Sequence, residues 1–85
     1  MKLTQCDKIL IAMLMDEEKE YWTAKDFQYG KNFVGYEASA RMSDLMVMYP
    51  TLFIIGREER YRTLYINWKK NKRLIKNLKK KYNLK

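Results

Sequence analysis

Residues 35–50 read Gly35-Tyr36-Glu37-Ala38-Ser39-Ala40-Arg41-Met42-Ser43-Asp44-Leu45-Met46-Val47-Met48-Tyr49-Pro50, and this stretch predicts one helix with an end on each side. Gly35 precedes the periodic run, and Pro50 cannot continue it. Ala38, Met42, Leu45 and Tyr49 recur at spacings of four, three and four, which lays them along one narrow apolar face with Met46 beside it. Tyr36, Ala40, Ser43, Asp44 and Val47 fall on the other side, flanked by Glu37. Those outward groups are mostly short, so this helix can approach another surface closely.

Working outward, the segment before it predicts two more helices. Thr4 is a candidate N-cap with Asp7 three residues on, an imperfect capping box. Ile9, Leu10, Met13 and Leu14 continue as an apolar stripe, so residues 5–16 read as a first helix. Asp16-Glu17-Glu18-Lys19-Glu20 follows as an acidic link, either a solvated helix end or a patch for a partner. Tyr21-Trp22 has the residues of a short strand. Thr23 and Asp26 repeat the capping pattern ahead of a short second helix, residues 24–29, which buries Phe27. Gly30 suits a left-handed stop, and Phe33 or Val34 fills the core after the turn.

Beyond Pro50, Leu52-Phe53-Ile54-Ile55 has strand composition, and Gly56-Arg57-Glu58-Glu59-Arg60 breaks it. Tyr61 to Ile66 alternates again. The pair reads as a β-hairpin whose tip is a loop of roughly four or five residues, because Glu58-Glu59 lacks the residues a two-residue turn favours. Trp68 to Lys85 contains no breaker, and Leu74, Ile75, Leu78 and Tyr82 share one side of a basic amphipathic helix that starts between Asn67 and Lys72.

Within the quoted stretch, Ala38-Ser39-Ala40-Arg41-Met42-Ser43-Asp44-Leu45 resembles the recognition helix of winged helix-turn-helix proteins, above all the small phage-type members. The order of elements from Leu3 to Asn67 is also similar to that family. The resemblance implies an α+β fold: a three-helix core with a β-hairpin wing over residues 1–67, followed by the added basic helix over residues 68–85. It implies sequence-specific binding of double-stranded DNA with this helix in the major groove, and it suits a transcriptional regulator in a phage or mobile element.

Chemistry then assigns candidate contacts. Arg41 can reach a phosphate or a guanine edge, or else pair with Asp44 or Glu37. Ser39 and Ser43 can bond phosphates or bases, and Tyr36 can touch the backbone. Glu37, Ala40 and Asp44 share that surface, where Asp44 can orient Arg41 or select a cytosine amino group. Arg57, Arg60 and Arg62 gather around the wing, where arginine suits a narrow minor groove. Glu58 and Glu59 oppose this unless they pair with those arginines.

Charge supports a polyanion as the partner. The chain has 85 residues and a net charge of +8, and nine of its 18 basic residues lie in residues 68–85, where there is no acid. The other nine face all ten acids, leaving residues 1–67 at −1. Lys69, Lys70, Lys72 and Arg73 begin this tail and suit backbone phosphates. Its apolar stripe docks on the body or pairs with a second chain, so a homodimer is one expectation.

Other classes are less well served. There is no histidine and only one cysteine, Cys6, so common nucleophile pairs, zinc sites and an internal disulfide are missing. No catalytic site, metal or cofactor is expected. The length suits one domain, no apolar run spans a bilayer, and the compartment expected is cytoplasmic and nucleoid-associated. The rival readings are a winged module that binds a partner protein through the central helix and the acidic link, an architectural or recombination factor, RNA binding through the tail, and membrane-surface binding, for which the tail's apolar stripe is thin.

Overall fold

The first helix begins where its cap dictates. The computed structural model describes residues 2–84. In it the Thr4 backbone N–H donates to Asp7 Oδ2 at 2.9 Å and the Asp7 N–H donates to Thr4 Oγ1 at 3.1 Å, which completes the capping box. Helix α1 (Gln5–Met15) follows and buries Ile9, Leu10, Met13 and Leu14. Helix α2 (Lys25–Gln28) is shorter than expected and starts after Ala24. Thr23 supplies only half of a capping box: its N–H donates to Asp26 Oδ2 at 2.8 Å, but its side chain caps nothing. Gly30 takes the left-handed φ of +81° and leads into a 3-10 turn (Gly30–Asn32). Of the two residues after it, Val34 packs on the core and Phe33 stays 49% exposed.

Helix α3 (Ala38–Met48) is the expected central helix, shortened at its N-terminal end. Tyr36 and Glu37 lie in a turn ahead of it, where the Gln28 side chain donates to the Tyr36 carbonyl at 3.0 Å. Ala38, Met42 and Leu45 are buried, as their spacing requires. The opposite ridge is open: Tyr36 is 76% and Val47 81% exposed.

Strands β1 (Phe53–Glu58) and β2 (Tyr61–Ile66) pair antiparallel, from Phe53 opposite Ile66 to Glu58 opposite Tyr61. This corrects the expected loop in two ways. Gly56 does not break the strand; a Cβ there would lie 2.8 Å from Thr63 Oγ1, so glycine lets the cross-strand threonine close in. The tip is then only Glu59-Arg60, a two-residue turn that Glu59 makes possible by adopting a φ of +56°. Leu52 rather than Phe53 is fully buried at the start of the hairpin; Phe53 is only half-buried. Trp22 bridges to Leu64 through paired backbone bonds of 2.8 Å, a single isolated bridge where a short strand is expected at Tyr21-Trp22. Trp22 also stacks on Phe27, with ring centres 5.2 Å apart.

Helix α4 (Lys72–Lys81) closes the molecule. Ile75 and Leu78 are buried in the same core as α1 and α3, with Leu74 and Tyr82 packed against it. The apolar stripe of the tail is therefore used on its own chain. The helix ends in a Schellman motif: Asn83 has a φ of +58°, Leu84 N–H donates to the Lys79 carbonyl at 2.7 Å, and Asn83 N–H to that of Lys80 at 3.2 Å. The helix–helix–helix–hairpin–helix order is a compact α+β arrangement with a winged-helix-like topology. No helix among the described residues is long and apolar enough to cross a membrane.

Candidate nucleic-acid interface

The hairpin register decides where the arginines go. Arg57 and Arg62 are direct cross-strand partners, and Arg60 follows at the tip. All three line a cleft of about 430 Å³ between the wing and α3, together with Ser39 and Ser43. Ser39 and Ser43 stand one turn apart on the flank of α3 that faces the wing. Ser43 Oγ donates to the Ser39 carbonyl at 3.2 Å and accepts from Arg62 Nη2 at 2.9 Å. Arg62 Nη2 also reaches the Ser39 carbonyl at 3.5 Å.

The electrostatics of this cleft are one-sided. Like charges directly opposite each other across a strand pair destabilise it. Among the described residues no carboxylate lies within ion-pair distance of Arg57, Arg60 or Arg62; the two ion pairs there are Lys19–Asp26 at 3.5 Å and Arg41–Asp44 at 3.1 Å. Glu58 and Glu59 do not pair with the wing arginines, and neither lines the cleft. The arrangement suits an anion with several oxygens, which guanidinium forks and hydroxyls can bind together.

The other candidate residues are distributed around this cleft. Tyr36, Glu37, Ala40 and Asp44 are exposed along α3 and the turn before it. Arg41 is half-buried on the opposite flank from Ser39 and Ser43, beside α1. Its Nε faces Asp44 at an ionic distance without the alignment of a hydrogen bond, and its carbonyl accepts from the Cys6 thiol at 3.7 Å. Burial, and secondly the Asp44 charge, push the Cys6 thiol pKa up. Arg41 therefore does not join the serine–arginine cleft. Lys69 and Lys70 in the turn before α4, and Lys72 and Arg73 at its start, are exposed and do not line it either.

Sequence reading missed Tyr61 and Lys25. Tyr61 lines the cleft, and the Lys25 ammonium sits 4.1 Å from the centre of its ring. The contact with Tyr61 raises the Lys25 pKa. A weak signal was available in Tyr61's place beside the expected tip, but its link to α2 depends on the tertiary fold. No family model, curated protein or solved structure matches the chain.

Proposed function

We propose that the protein binds double-stranded DNA without catalysis and acts as a transcriptional regulator, with the serine–arginine cleft seated on the phosphate backbone. The observation that carries this reading is the Arg57–Arg62 cross-strand pair, which no carboxylate among the described residues neutralises. A backbone phosphate would relieve that repulsion and accept from Arg60 and the Ser39 hydroxyl. The cleft lies where α3 meets the wing, so a duplex seated there would bring α3 to the major groove. Base reading then falls to the exposed ridge of Tyr36, Ala40 and Asp44, and to Arg41 held beside Asp44. The exposed lysines of α4 add sequence-independent attraction. Binding of labelled duplex DNA, single-stranded DNA and RNA at two salt concentrations tests this: duplex preference with steep salt dependence is expected.

One observation favours a second reading. The outward ridge of α3 is not basic: Val47 is 81% exposed beside Asp44, and Tyr36 meets Phe33 edge-on with ring centres 5.4 Å apart. That surface suits a partner protein better than phosphates. Absence of binding to all three nucleic acids would favour it.

A further inference from the structure

Two clefts outside the arginine site form one continuous face. The larger, about 660 Å³, runs along α4, with Trp68 and Ile75 at its base and Lys72, Lys76, Lys79 and Lys80 around it. Lys72, Lys76 and Lys79 recur at spacings of four and three, so they form a single stripe on the helix. The smaller, about 490 Å³, lies where the C-terminal ends of α1 and α4 meet, and is lined by Met15 and Glu17. Lys79, Asn83 and Leu84 belong to both clefts and join them.

The two ends of this face are opposite in character. One is an aromatic floor rimmed by lysines. The other is a methionine, 69% exposed, followed by Asp16, Glu17 and Glu18. Glu17 has no ion-pair partner among the described residues. A face that carries a basic groove at one end and an apolar knob with acids at the other complements a copy of itself turned through 180°.

We propose that this face pairs two copies of the chain about a two-fold axis, placing Met15 of each against Trp68 of the other and Glu17 among the other's lysines. A methionine thioether against an indole ring is a favourable contact, and the carboxylate supplies the counter-charge that the lysine stripe lacks among the described residues. Each contact occurs twice. The proposal is independent of what the arginine cleft binds.

Charge exchange tests it without nucleic acid. Glu17 and Lys76 are both exposed, so Glu17→Lys and Lys76→Glu leave the fold intact, which circular dichroism checks. In sedimentation up to millimolar protein at low salt, the wild type should dimerise. Each variant alone places like charges at both contacts and should weaken the dimer by about tenfold or more. An equimolar mixture of the two restores opposite charges at both contacts, so it should recover the dimer. Met15→Ala should weaken it as well. A wild type that stays monomeric, a dimer indifferent to both charge reversals, or a mixture no better than its components overturns the proposal.

Discussion

Arg62 on the second hairpin strand donates from Nη2 to Ser43 Oγ on α3 at 2.9 Å, so the wing is bonded to the helix it flanks. The bond has one polarity. Ser43 directs its own proton to the Ser39 carbonyl, leaving a lone pair for the guanidinium. Arg62 is thereby held on the α3 side of the cleft, across the ladder from Arg57.

Stability and binding should consequently move in opposite directions when Arg57 is neutralised. Arg57→Gln removes a like-charge cross-strand pair and should raise stability by about 0.2–1 kcal/mol. The same change should weaken duplex DNA binding. Urea denaturation and fluorescence anisotropy on one preparation check both signs. Ser43→Ala should instead lower stability by about 1 kcal/mol, since it removes the acceptor for a partly exposed charged donor.

Tyr82 and Asp7 tie the last helix to the first. Tyr82 Oη donates to Asp7 Oδ1 at 2.6 Å. This bond, and then the Thr4 N–H, hold the Asp7 carboxyl below its ordinary value of 3.8. Burial, and then the bond to Asp7, push the Tyr82 phenol upward. A carboxyl with a depressed folded value contributes stability that is complete above its ordinary value and is lost as pH falls through the folded one. A phenol with a raised folded value contributes stability that is complete below its ordinary value near 10 and is lost only as pH rises through the folded one. Tyr82→Phe should cost about 1 kcal/mol at pH 7, and the cost should shrink below about pH 4. Denaturation of both proteins from pH 3 to 8 gives that difference directly.

The core of α3 gives the largest single effect. Leu45 is 1% exposed in the common core. Leu45→Ala should cost about 2–5 kcal/mol through lost burial and a cavity. A change below about 0.5 kcal/mol, the range of surface substitutions, would mean that α3 faces the other way.

At the hairpin tip, Glu59 holds a φ of +56°, which costs a side chain about 1–2 kcal/mol relative to glycine. Glu59→Gly should therefore raise the melting temperature, and it also removes an acid from the wing.

Much of this fold can be read from local pattern. Thr4 and Asp7 announce α1, the spacing of Ala38, Met42 and Leu45 announces α3, and the composition of residues 52–55 announces β1. The hairpin tip could not be read this way. Its tightness comes from ladder pairing that continues past Gly56 and forces Glu59 into a left-handed conformation against its preference. The cleft was legible as residue types but not as a constellation. Ser39, Ser43, Arg57, Arg60 and Arg62 all stand out in the sequence, yet only the strand register and the α3 flank bring them together. The same geometry separates Arg41 from them, because it lies on the other flank. Burial of Ile75 and Leu78 also depends on tertiary packing, since periodicity shows a stripe and not what covers it. It makes substitution a better probe of α4 than truncation, which would open the core.

The central claim is that the wing arginines contact phosphate. The direct measurement is the affinity for duplex DNA as a function of salt, for the wild type and for Arg57→Gln/Arg60→Gln, a pair of exposed positions outside the core. Each neutralised phosphate contributes about −0.9 to the slope of log affinity against log salt, so losing the one phosphate these arginines share should flatten it by up to about 0.9. The account predicts that flattening together with weaker binding at every salt concentration. Equal slopes and affinities for the two proteins, or no duplex binding by the wild type at low salt, would contradict it.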